Sequence, residues 1–286
     1  MRIDLHTHSN LSDGTDSPTR LMLAAAAAGL DIVALTDHDT MAGVAEARAA
    51  GQRVGVRVLA GVELSTNHAG GEIHLLGYGM DPRNSELNAE MLRLRRSRTE
   101  RLPRMLARLT ELGMTIGESA VLGRAGGSGA SVGRPHVADE LVAAGYAANR
   151  AEAFAKYLDR GRPAYVERYT LPLTDAIALV HAAGGAAVLA HPGIRGAEHV
   201  LGGADIERLA AEHGLDGIEV DYPLHDAATR DLFHRLGQRC DLVRTGSSDY
   251  HGGGKQDHEL GCETTRESAY RELLRRIERY RVGLGA

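Results

Sequence analysis

His6 and His8 stand two residues apart near the start of the chain, and Asp249 and His251 repeat that spacing near its end. On an extended segment, residues i and i+2 point to the same side, so each pair can offer two ligands to one ion. Between them, Asp37 and His38, Glu63, and His191 each follow a short apolar run. Glu63 carries two oxygens and can bridge two ions. His74 interrupts the apolar run Ile73-His74-Leu75-Leu76. Burying an imidazole there without a partner is costly, and an ion supplies one. Taken singly, each residue has an ordinary reading: an HxH on a solvated strand, Glu63 as a surface charge, Asp13 as the turn residue of Ser12-Asp13-Gly14. The ordinary readings fail together, because separate strand ends each carry His, Asp or Glu toward one face. His68, His181, His199, His213, His234 and His258 lack this placement and read as surface residues. The donors are nitrogen and oxygen without thiolate, which suits Mn, Zn or Fe rather than a soft-metal site. Two such ions side by side, roughly 3.5–4 Å apart, can clamp the attacking and leaving oxygens of a displacement, with a metal-bound water as nucleophile.

Such residues need a frame that brings distant strand ends together. Seven short apolar runs read as strands: Ile3-Asp4-Leu5, Ile32 to Leu35, Val56 to Leu59, Ile73 to Leu76, Ala186 to Leu189, Gly217 to Val220 and Leu242 to Thr245. Helical periodicity lies between most of them, as in Thr19 to Leu30 and Thr174 to Ala183. Alternating β and α predicts a parallel sheet, and seven strands predict a barrel with its site at the C-terminal strand ends. Residues 97–169 break the alternation. They read as a helical insertion with a Gly-rich interruption at Gly123 to Gly133 and amphipathic helices at Arg104 to Leu112 and Ala151 to Leu158. The barrel then comprises 1–96 and 170–286. Arg93, Arg95, Arg96, Arg98, Arg101, Arg104 and Arg108 form a basic run that reads as a solvated face, with Pro103 expected to kink or restart the helix.

Composition sets limits on partners. With 286 residues the chain suits one α/β barrel, and with no Trp and two Phe its core must come from aliphatic residues. A net charge of -5 speaks against gripping long nucleic acid. Cys240 and Cys262 form no CxxC, so a reducing compartment is the default. No basic-then-apolar leader precedes Ile3, and the run Leu21 to Leu30 is about half a membrane span. These features predict a cytoplasmic protein without a membrane partner.

The ordered motifs Asp4-Leu5-His6-Thr7-His8, Ser12-Asp13-Gly14, Thr36-Asp37-His38-Asp39, Gly61-Val62-Glu63-Leu64-Ser65, His74-Leu75-Leu76-Gly77-Tyr78, Ala190-His191-Pro192-Gly193 and Ser248-Asp249-Tyr250-His251-Gly252 resemble the PHP (polymerase and histidinol phosphatase) family over nearly the whole chain. Gly133-Arg134-Pro135-His136 further resembles its stand-alone phosphoesterases, among them 3',5'-nucleotide bisphosphate phosphatases and a 5'-to-3' exoribonuclease. The resemblance implies a distorted (β/α)7 TIM-like barrel with up to three metals. It implies His6, His8, Glu63 and Asp249 for the first ion, Glu63, His74 and His191 for the second, and Asp13, His38 and His251 for the third. It departs at Asp13, where the family often has His.

Residues for substrate are read more sparsely. Arg134 can fork onto phosphate oxygens, with His136 as a further donor and Lys255 within reach of the Asp249 segment; a solvated or internally paired charge is the plain alternative for Arg134 and Lys255. His225 is a candidate acid for the leaving alcohol, with a surface histidine as the alternative. The expected activity is hydrolysis of a phosphate monoester of a small metabolite, foremost a 3',5'-nucleotide bisphosphate losing its 3'-phosphate. A 5'-to-3' exoribonuclease on short RNA is the nearest rival. A catalytically inactive metal-binding regulatory module is the reading from another class, and the full ligand set opposes it.

Overall fold

Apolar strands and amphipathic helices alternate in the computed structural model, which describes residues 1–125, 130–194 and 196–284. In chain order the elements are β1 (Ile3–Thr7), α1 (Pro18–Ala27), β2 (Ile32–Leu35), α2 (Val44–Val54), β3 (Arg57–His68), β4 (Gly71–Tyr78), α3 (Ser85–Glu111), α4 (Glu118–Gly123), α5 (Arg134–Ala143), α6 (Arg150–Ala153), β5 (Leu171–Pro172), α7 (Leu173–Ala182), β6 (Ala186–Leu189), α8 (Gly203–His213), β7 (Gly217–Asp221), α9 (Ala227–Arg239), β8 (Val243–Gly246) and α10 (Glu267–Leu284). The sheet runs β1-β2-β3-β4-β6-β7-β8, with the two-residue β5 attached to β3. Just beyond β8, Tyr250 pairs in parallel with Thr7, which draws the two ends of the sheet together. The result is an α/β, nearly closed, distorted seven-stranded TIM-like barrel.

One strand corrects the expectation of a wholly parallel sheet. β4 runs antiparallel to both β3 and β6. His68 pairs with Gly71, so only Ala69 and Gly70 form the loop, both at positive φ (47° and 78°). That is the type I' geometry whose twist suits a tight hairpin, and a hairpin leaves no room for a crossover helix. Reversal carries His74, in the first half of β4, to the same end of the barrel as the C-terminal half of β3, opposite Ser65.

Aliphatic side chains fill the barrel and the helix–sheet layer: Ile3, Leu5, Ile32, Leu76 and Val188 lie in one cluster, and Val62, Leu64, Leu75, Leu189 and Ile218 in another. α3 links this body to a separate apolar cluster. Its Leu87, Met91 and Leu94 pack with the barrel, whereas Leu102, Met105 and Leu109 pack with Val121, Val137, Leu141 and Leu158. The helix starts at Ser85 and continues through Pro103, so the expected restart does not occur. The expected helix over Ala151 to Leu158 divides into α6 and a π-helical turn, Phe154–Leu158. Of the Gly-rich interruption, residues 126–129 lie outside the described residues. Among the described residues no helix is long and apolar enough to cross a membrane.

Candidate metal centre

The barrel end gathers the nine sequence-derived ligand candidates. His6 and His8 close β1, His38 follows β2 and pairs by backbone with Glu63 in β3, and His191 and Asp249 follow β6 and β8. Asp39, His191 and Asp249 take positive φ (55°, 29° and 52°), a strained conformation for residues with side chains and one that clusters at functional sites. Ligand atoms fall into four overlapping groups within 4.8 Å: His8, Asp13, His38 and His251; His6, Glu63 and His191; His6, His8 and Asp249; His38, Glu63 and His74.

Glu63 stands at the centre, with its side chain 1 % exposed. Its Oε2 lies 3.2 Å from His6 Nε2, 3.1 Å from His8 Nε2 and 3.1 Å from His38 Nδ1. Its Oε1 lies 2.7 Å from His74 Nδ1 and 3.1 Å from His191 Nε2. Asp249 Oδ1 sits 3.4 Å from His6 Nε2 and 3.3 Å from His8 Nε2. Asp13 Oδ1 lies 3.2 Å from His251 Nε2, and its Oδ2 lies 3.6 Å from His38 Nε2.

These residues fit divalent ions by their own electrostatics. Burial pushes Asp13, Glu63 and Asp249 toward protonation, yet the surrounding cationic groups hold all three well below the usual carboxylate range. For Asp13 and Glu63 those groups are histidines; for Asp249 they are Lys255 and then His6 and His251. Burial lowers His8, but Asp249 and Glu63 outweigh it and raise it to about 9. Burial holds His38 well below its ordinary value. Asp13 Oδ1, His38 Nδ1 and His74 Nδ1 are buried without an aligned hydrogen bond. Nitrogen and oxygen donors that converge in this way suit a hard or borderline cation.

The residues around this cluster depart from several expectations. Both nitrogens of His225 are engaged: Nδ1 donates to Val220 O at 3.0 Å, and Nε2 accepts from Gly193 N at 3.3 Å. It braces the His191 loop, and it is buried, which corrects the surface alternative. His136 Nδ1 accepts from Gly133 N at 3.0 Å, which fixes the start of α5. Lys255 donates to Asp249 Oδ2 and, at 3.0 Å, to the Tyr222 hydroxyl, which itself donates to Asp249 at 2.8 Å. His258 is buried, not superficial: its Nδ1 is 2.6 Å from Ser248 O, and burial lowers it to about 4. His181 is half-buried and bonded to Asp216 at 2.9 Å.

The basic run is likewise only partly solvated. Arg98 is buried; its Nε donates to Asp39 Oδ2 at 2.8 Å and its Nη2 to Ser65 Oγ at 2.6 Å. Arg101 is 4 % exposed and forms no hydrogen bond or ion pair with any described residue. It lines a cavity of about 210 Å³ with Asn67, Glu72, Tyr165 and Arg168. Burial, then Arg168, Arg134 and Arg98, drive its pKa well down. Arg134 and Arg168 both donate to Glu72, at 2.7 and 3.0 Å. Glu72 Oε1 lies 3.9 Å from His74 Nε2, so the arginines begin one carboxylate away from the ligand cluster.

Glu219 escaped the sequence reading. It is fully buried in β7, 3.2 Å from His6 Nδ1, and its signal was the one that flagged His74: an ionisable residue inside an apolar run, Gly217-Ile218-Glu219-Val220.

Comparisons with known proteins agree with this geometry. Residues 4–118 match the PHP domain. The 3',5'-nucleoside bisphosphate phosphatase of Chromobacterium violaceum is 35% identical over 96% of this chain and 96% of its own. The 5'-3' exoribonuclease of Haemophilus influenzae is 34% identical over 87% of this chain and 90% of its own. A solved structure from Bifidobacterium adolescentis, described as a candidate metal-dependent phosphoesterase, superposes with TM-score 0.90 at 34% identity and covers 96% of each chain. This chain belongs to the PHP-domain family and is a metal-dependent phosphoesterase, a hydrolase of phosphate esters.

Proposed function

We propose that the enzyme hydrolyses a phosphate monoester of a small nucleotide that carries a second anionic group, foremost a 3',5'-nucleotide bisphosphate losing its 3'-phosphate. The observation that carries this reading is Arg101: a buried guanidinium, without a partner among the described residues, lining a cavity next to the ligand cluster. A buried cation without a counterion is costly, and an anionic ligand removes that cost. The Chromobacterium relative bears the matching name. The 5'-to-3' exoribonuclease is the second reading, favoured by the Haemophilus relative.

In this reading His6, His8, Glu63 and Asp249 hold one ion, Glu63, His74 and His191 a second, and Asp13, His38 and His251 a third. Support comes from the two oxygens of Glu63, which face different sets of histidines. Mn, Zn or Fe suit the donors. Bound there, such ions supply Lewis acidity and a nucleophile for displacement at phosphorus. The chain's own residues do the rest. Glu63 and Asp249 would hold the ions that take the reacting phosphate, and Arg101, with Arg134 and Arg168, holds the non-reacting phosphate. Residues 97–169 act as the cap that selects substrate over a barrel of 1–96 and 170–286. His136 and Lys255 act through Gly133 and Asp249, and no direct role toward substrate is assigned to them. The two free cysteines and the absence of a membrane-crossing helix among the described residues are compatible with a cytoplasmic enzyme that acts on small nucleotides and not on long nucleic acid.

Arg101→Gln tests the reading. A hydrogen bond to a charged group contributes about 1.5–3 kcal/mol, or roughly a tenfold to hundredfold effect. The variant should lose kcat/KM by that factor on a 3',5'-bisphosphonucleoside and change little on a nucleoside 3'-monophosphate. Equal losses on both substrates would reject Arg101 as the holder of the second phosphate.

A further inference from the structure

His6 and His191 come from opposite parts of the chain, and two buried carboxylates hold them from opposite sides. On one side stands Glu63, with Oε2 3.2 Å from His6 Nε2 and Oε1 3.1 Å from His191 Nε2. On the other stands Glu219, with Oε1 3.2 Å from His6 Nδ1 and Oε2 accepting the His191 backbone N–H at 2.8 Å. The two imidazoles are nearly parallel, 17° apart, with centroids 5.7 Å apart. Ser247 donates to Glu219 Oε1 as well. Glu219 therefore accepts from three donors of three separate segments and has no exposed surface.

From this we infer that Glu219 is a positioning residue that sets His6 and His191 for two neighbouring ion positions at once. It rests on the ligand assignment made above. An imidazole that donates Nδ1–H to a carboxylate presents Nε2 as the lone pair, and such partners orient the ring and raise its basicity. His6 Nε2 is then directed toward Glu63, His8 and Asp249. His191 is fixed by another route. Its φ of 29° is a strained backbone for a side-chain-bearing residue, and the bond from its N–H to Glu219 holds the turn that swings its ring to Glu63. One carboxylate thus ties a first-strand ligand to a sixth-strand ligand, and a loss at Glu219 is felt at both ion positions.

The test is Mn titration of the metal-free protein by calorimetry, for the wild type and Glu219→Gln, with circular dichroism of both metal-free forms. The carboxamide turns an N–H toward a group that already donates. Mn affinity should weaken by roughly tenfold to hundredfold for two ions, with the far-ultraviolet spectrum unchanged. Unchanged Mn affinity in a folded Glu219→Gln protein overturns the inference, as does weakening confined to one ion. If the wild type itself takes up no Mn, the ligand assignment fails instead, and the two failures are distinct. Should the variant not fold, proton NMR of the Zn-loaded wild type decides. His6 Nδ1–H should give a downfield, slowly exchanging resonance, and its absence overturns the inference.

Discussion

Among the described residues, Glu63 is the one side chain whose two oxygens meet five histidines, and its substitution has the widest expected effect. Glu63→Gln should lower both metal content and turnover by orders of magnitude, measured by elemental analysis and phosphate release on folded protein. Near-normal activity would remove the bridging role. Protonation gives a second prediction. His8 in the metal-free protein is raised to about 9 because Asp249 and Glu63 outweigh burial. Its folded value lies above the unfolded one, so its contribution to metal-free stability is complete below about 6.5 and is lost as pH climbs through 9. Metal must displace the same proton, so apparent Mn affinity should rise by about tenfold per pH unit below 9. Melting of chelated protein and Mn titration from pH 6.5 to 9 should move in opposite directions; parallel trends would contradict this. That these nine candidates converge was legible because each sits at or beside a strand end, or breaks an apolar run. Glu219 was not singled out, and Arg101 was read as part of a solvated face. Glu219 depends on His6, 213 residues away, and Arg101 on having no partner among the described residues, and spacing carries neither.

α3 shows how an element acts through a single contact. It passes from the barrel core to the second apolar cluster, and Arg98 at mid-length pins it to Asp39 and Ser65. Asp39 stays ionised despite complete burial because Arg98, and then Arg168, offset that cost. Breaking a buried pair by removing one partner costs about 3–5 kcal/mol. Arg98→Ala should therefore destabilise the metal-free protein by that amount in urea unfolding, and a change under about 1 kcal/mol would class the pair with surface ion pairs. Seven strands were visible as apolar runs, but the direction of β4 was not, although Asn67-His68-Ala69-Gly70-Gly71 carries a hairpin signal. Alternation of β and α favours a parallel reading, and the short loop decides against it locally. Pro103 does not restart α3, which continues through it with apolar packing on both sides.

At the scale of the molecule, charge is sorted. The chain carries -5 overall, yet Arg98, Arg101, Arg134 and Arg168 converge around Glu72 beside a cluster of buried carboxylates and histidines. The carboxylate side suits cations and the arginine side suits anions, and a phosphate ester with a second anionic group is complementary to both. All four arginines lie within 97–169, Arg98 and Arg101 on α3, and every ligand candidate lies in 1–96 or 170–286. On the proposed function, substrate selection and chemistry then fall to different parts of the chain. The most direct measurement is product analysis with one purified preparation, chelated and then reloaded with Mn, given a 3',5'-bisphosphonucleoside and, separately, a short 5'-phosphorylated RNA. The account predicts one phosphate and one 5'-mononucleotide per turnover of the bisphosphonucleoside from the reloaded protein alone. Equal phosphate release from the chelated protein, or mononucleotides from the RNA with no phosphate from the bisphosphonucleoside, would contradict it.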